Sequence, residues 1–138
     1  MDSSLYDRLG GTDGITSVAV AFENRAAKDD RISQKFALTD LNRLTKEFVD
    51  QLCQATGGPC TYTGRDMTET HYHMGVTSGE FDAFMEDLVA TLDEFNVAKA
   101  DQDELVSMLT PMKPEIVEVD SDQVGTPLPG SFHPAPPL

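Results

Sequence analysis

Basic residues are scarce: 10 lysines and arginines stand against 24 aspartates and glutamates, a formal charge of -14 at neutral pH. That balance disfavours nucleic acid and anionic membranes as partners, because both are recognised through positive surfaces. Long apolar runs are missing as well, so no stretch has the length of a membrane span. The opening MDSSLYDRLGG has neither the basic nor the apolar region of a secretory leader. The expectation is a soluble chain, cytoplasmic by default, with a periplasmic location open if a leader was removed. Cysteine is equally sparse, with Cys53 and Cys60 the only two. They are too few for a disulfide framework and are not at CxxC spacing. The two can pair if the chain turns at Gly57-Gly58, but the default reducing compartment favours two free, partly buried thiols. Internal repeats and the alternation of a half-buried strand are absent too.

What is present is helical period, in a chain of 138 residues that suits one domain with a single modest core. The fold class expected is all-α. A short helix at 5–9 ends at Gly10-Gly11, and Thr12 or Asp13 is placed to cap a second helix with the apolar stripe Ile15, Val18, Ala19, Phe22, Ala26. A polar turn leads to Ile32 and Phe36. Thr39 or Asp40 then caps a helix bearing Leu41, Leu44, Phe48, Leu52 and Ala55, stopped by Gly57-Gly58-Pro59. An irregular loop follows to Asp66, which with Glu69 has the spacing of a capping box for a short helix over 67–74 closed by Gly75. Thr77 and Glu80 repeat the pattern before Phe81, Phe84, Met85, Leu88, Leu92 and Phe95. Asp101 with Glu104 is read as the cap of a last helix carrying Leu105, Met108, Leu109, Met112 and Ile116, kinked or cut short at Pro111. Residues 1–118 are thus the folded domain. Residues 119–138, rich in proline, read as an extended or disordered, solvated tail.

Of three histidines, His133 falls in the tail, leaving His71 and His73. Met67, His71 and Met74 are spaced i, i+4, i+7 and share one helix face, while His73 points elsewhere. A histidine on an apolar face is by itself more often a hydrogen-bonded core residue than a ligand. Zinc held by Glu69, His71 and His73 is disfavoured, because residues two apart diverge on a helix.

The stretches SLYDRLGG, DDRI followed by Phe36, FVDQLCQATGGPC, YTGRDM, TETHYHMGVT and FDAFMEDLVATL together resemble the group I truncated haemoglobins over residues 3–118. The resemblance implies a two-over-two helical sandwich and haem b ligated by His71. It also implies haem-lining positions at Met67, Met74, Val76, Phe84, Leu88 and Met108, with Phe36, Leu44, Phe48 and Tyr62 beside them. The second imidazole nitrogen should donate to a carbonyl about one turn earlier, near Met67. Arg43, Lys46 and Arg65 are the cations near the expected pocket mouth, suited to the haem propionates.

On the distal side the chain departs from the family. Glu23 stands where many relatives carry a tyrosine, one residue after the phenylalanine of the second helix, and Leu44, Glu47 and Phe48 replace the usual polar distal set. An ionised carboxylate only accepts hydrogen bonds and repels bound dioxygen. If Glu23 points inward, desolvation should hold it neutral and able to donate. The favoured expectation is that it turns outward or pairs with Arg25 or Lys28, leaving an apolar pocket with quick oxygen release and easy oxidation. The function expected is binding of oxygen or nitric oxide, with redox activity such as nitric oxide dioxygenation and a partner reductase, in a monomer or weak dimer. A haem-based sensor or electron-transfer protein is the runner-up, and a haem-free helical interaction module stands third.

Overall fold

The computed structural model describes residues 4–36, 41–62, 74–126 and 128. Among these the chain is helical, and the sole β pairing is an isolated parallel bridge between Thr77 and Val119. The elements are α1 (Leu5–Arg8), α2 (Gly11–Lys28), a 3-10 turn (Ser33–Phe36), α3 (Leu41–Ala55), α4 (Ser78–Glu94), α5 (Lys99–Leu109), a 3-10 turn (Thr110–Met112) and α6 (Lys113–Ile116). The short helix expected over 67–74 lies outside the described residues.

Helix α2 is the hub, packing on both α3 and α4, while α5 lies on α4. Its stripe Ile15, Val18, Ala19, Phe22 and Ala26 is buried as its period requires, and meets Phe48, Val49 and Leu52 of α3 and Leu88 and Leu92 of α4 in the main core. The Phe22 ring sits 5.3 Å from Phe48 and 4.6 Å, edge-on, from Phe84, within the range in which aromatic pairs attract beyond their buried area. Arg8 ties α1 to α5 through Asp101 at 2.8 Å and Glu104 at 2.7 Å.

Helix starts differ from the sequence expectation in two places. Gly10, with φ of 94°, caps α2 in place of Thr12 or Asp13, and the helix begins at Gly11. Helix α5 starts at Lys99 behind Ala98, whose carbonyl takes the N–H groups of Asp101 and Gln102. Asp101 is thereby released to hold Arg8. The Thr77–Glu80 capping box is present in both directions. Pro111 ends α5 in a 3-10 turn, as a residue without an N–H should.

Cys53 and Cys60 are joined in a disulfide, their Cα atoms 5.7 Å apart. This corrects the expectation of two free thiols: the turn after Thr56 returns the chain to the end of α3, within bonding reach. Residues 119–126 are extended but do not stand free in solvent. They bond to the start of α4 and to the first 3-10 turn.

Candidate functional site

The residues expected on the distal side come from α2, α3 and the turn between them. Glu23 lies four residues after Ala19 and three before Ala26, both wholly buried, so helical phase carries it inside. It is 3% exposed, and its Oε2 has no hydrogen-bond partner among the described residues. Desolvation pushes its carboxyl up to about 7. This overturns the outward expectation. Arg25 bonds Glu94 across the groove to α4 at 2.6 Å, and Lys28 is exposed. The residues expected on the distal side therefore include a buried acid in addition to apolar side chains.

Phe48 is buried, whereas Leu44, Glu47, Arg43 and Phe36 are half-buried. Lys46 projects outward, its side chain 73% exposed and 3.1 Å from Asp50 one turn on. Tyr62 is half-buried, its N–H donating to the Gln54 side chain. On α4 and α5, Leu88 is fully buried, and Phe84 and Met108 are packed on the core but not covered. Val76 is buried in a second apolar cluster with Phe81 and Ile116, and Met74 flanks it. His71, Met67 and Arg65, like His73, lie outside the described residues. The structure thus packs Phe22 against Phe48 and Phe84, with Glu23 adjacent in sequence, while Phe36, Phe84 and Met108 pack half-buried on the same core.

Two further charge clusters, one enclosed and one partly exposed, have no local signal in the sequence. Lys35 Nζ lies 3.6 Å from Glu80 Oε1 and donates to the Thr126 carbonyl and hydroxyl at 3.0 and 2.8 Å. Burial lowers the Lys35 ammonium from its ordinary range, with Glu80 opposing. Arg31 bonds Asp29 at 2.9 Å and reaches within 3.6 Å of Asp87. The Arg31 hydrogen bond draws Asp29 down to about 2, while burial and Asp29 push Asp87 up to about 7. The capping box signalled Glu80, but nothing local signalled its bond to residues 46 positions away.

Comparison with known proteins agrees with the helical architecture. The model for the family described as bacterial-like globin matches residues 4–118. The group 1 truncated haemoglobin of Tetrahymena pyriformis is 36% identical over 97 residues, 70% of this chain and 80% of that protein. The corresponding protein of Synechocystis is 38% identical over 99 residues, 69% of this chain and 80% of its own. The crystal structure of the Tetrahymena pyriformis protein in its Fe(III) form superposes with a TM-score of 0.80 at 31% identity, covering 83% of this chain and 98% of that one. The 2/2 haemoglobin of Synechococcus, solved in the cyanomet state with covalently attached haem, gives 0.79 at 30% identity, with the same coverage. The chain belongs to the bacterial-like globin family as a group I truncated haemoglobin, and haem with the binding of small diatomic ligands follows from that membership.

Proposed function

We propose that His71 ligates the iron of haem b and that Glu23 is the distal acid, so that the protein handles oxygen and nitric oxide under proton control. The observation that supports Glu23 in this role is its buried Oε2, which has no hydrogen-bond partner among the described residues. An enclosed carboxyl without a partner is costly unless it is neutral or faces a bound group. The incompletely covered faces of Phe36, Phe84 and Met108 suit a flat apolar cofactor. Haem, when bound, supplies an iron centre that takes a diatomic ligand and exchanges electrons.

The chain's part follows from its side chains. With burial raising its carboxyl to about 7, Glu23 can donate a hydrogen bond when protonated below that pH, and above it the carboxylate can only accept. Burial keeps water from it, since Glu23 is 3% exposed. Arg43 at the mouth, with Arg65, is suited to the propionates. The finer activity proposed is nitric oxide dioxygenation, in which nitric oxide, dioxygen and one electron from a reductase give nitrate.

Reconstitution with haem tests the ligand: His71→Ala should abolish the Soret band and His73→Ala should keep it, and the reverse outcome sinks the assignment. Oxygen release from the ferrous protein should accelerate as pH rises through about 7. Glu23→Gln, a permanent donor, should flatten that profile. A profile already flat in the parent refutes the role of Glu23. Stoichiometric nitrate on mixing nitric oxide with the oxygenated protein tests the dioxygenation.

A further inference from the structure

Every residue from Gly75 to Gly79 is bonded to the chain segment 118–126. The Gly75 N–H donates to Glu118 Oε1 at 2.8 Å. The Val76 carbonyl accepts the N–H groups of Glu118 and Val119 at 2.9 and 3.1 Å, and the Thr77 hydroxyl donates to the Gln123 carbonyl. Ser78 and Gly79 donate their N–H groups to the carbonyls of Val119 and Ser121 at 3.1 and 3.0 Å. Beneath these bonds Val76, Phe81 and Ile116 form their own buried cluster.

The far end of the segment is held by charge. Thr126 donates both its N–H and its hydroxyl to Glu80 Oε2 at 2.8 Å, and its carbonyl and hydroxyl oxygens take the Lys35 ammonium. Lys35 is 5% and Glu80 1% exposed, so this junction is enclosed. Gly125 donates its N–H to the Arg31 carbonyl at 2.6 Å. Close approach is built in at Gly79, where a Cβ would fall 2.6 Å from the Asp122 carbonyl oxygen.

We propose that residues 118–126 are a strap that positions His71. Gly75 stands four residues beyond His71 in sequence. By fixing 75–79 the strap anchors the chain four residues from His71 in sequence, and by gripping Lys35 it couples this side to the 3-10 turn carrying Phe36. Glu118 is the chief positioning side chain, since its carboxylate takes the first N–H after the 67–74 stretch. The strap proposal rests on the reading of His71 as the iron ligand.

The test uses the full-length, haem-loaded protein and reads the iron–histidine stretching band of the ferrous form by resonance Raman, together with the rate of haem transfer to apomyoglobin. Gly79→Ala favours the helix yet collides with Asp122, and a chain stopped after Val117 removes the strap outright. Both should shift or broaden the band and speed haem loss about tenfold. Glu118→Ala should move both readings in the same direction by less, and Glu118→Gln, which keeps an acceptor oxygen, should restore the parent values. A band and a haem-loss rate unchanged in the shortened chain overturn the strap. Should that chain not fold, an unchanged Glu118→Ala overturns it instead. A parent Soret band that is indifferent to His71→Ala sinks the ligand reading itself, whereas a His71-dependent band untouched by the strap variants sinks only the strap.

Discussion

Glu23 and Glu80 are both glutamates on the inner sides of long helices, 3% and 1% exposed, yet they live in opposite conditions. Glu80 accepts from the Thr77 N–H at one oxygen and from both donors of Thr126 at the other, with Lys35 alongside. Glu23 has an oxygen with no partner among the described residues. A satisfied buried carboxylate is architecture, because its bonds specify which segments meet. An unsatisfied one stores a cost that protonation or a bound group relieves, which is why Glu23 and not Glu80 is assigned to the chemistry.

The largest expected effect comes from making Glu80 resemble Glu23. Lys35→Met leaves the Glu80 charge enclosed without its cation and should cost about 3–5 kcal/mol, read by denaturant unfolding. A loss under about 1 kcal/mol would show that the Thr126 bonds suffice alone.

Next comes the Glu23 titration. Its folded-state value, about 7, is raised above the ordinary 4.5. Between those limits the folded state holds the proton more tightly than the unfolded state, so stability falls as pH rises through the window and levels off above it. The full fall is about 3 kcal/mol at most. Asp87, raised to about 7, slopes the same way, and Asp29, lowered to about 2, contributes stability that is lost only in acid. The difference between parent and Glu23→Gln isolates Glu23. Equal slopes in the two proteins would remove it from the window.

Arg31→Met tests a third, intermediate case, a carboxylate pair sharing one cation. It should cost about 1–2 kcal/mol and more at pH 8 than at pH 5, since Asp87 is then ionised beside Asp29. Lys46→Ala closes the series with a change within about 0.5 kcal/mol, because its pair with Asp50 is exposed. A larger loss would mean that Lys46 has a partner besides Asp50.

Much of the fold was readable because it is written in local periodicity. The stripe of α2, the Thr77–Glu80 box and the break at Pro111 each need only a window of a dozen residues, and each is where period and capping chemistry put it. Glu23 reads as outward-facing because burying an unpaired acid is costly, while its phase between Ala19 and Ala26 carries it inward. The disulfide was open because a seven-residue spacing permits both states, and only the return of the chain after α3 brings the sulfurs together. The strap was invisible because proline and acidic content describe the segment's own preferences and not the donors awaiting it at 75–80.

By itself the sequence determined the all-α class, the buried stripe of α2, the Thr77–Glu80 cap and the break at Pro111, since all of these depend on neighbours within a few turns. Tertiary structure decided which buried carboxylate is satisfied. Lys35 and Thr126, 91 positions apart, meet at Glu80, while nothing among the described residues meets Glu23 Oε2. Partners so distant in sequence are chosen by packing, and no local rule encodes them.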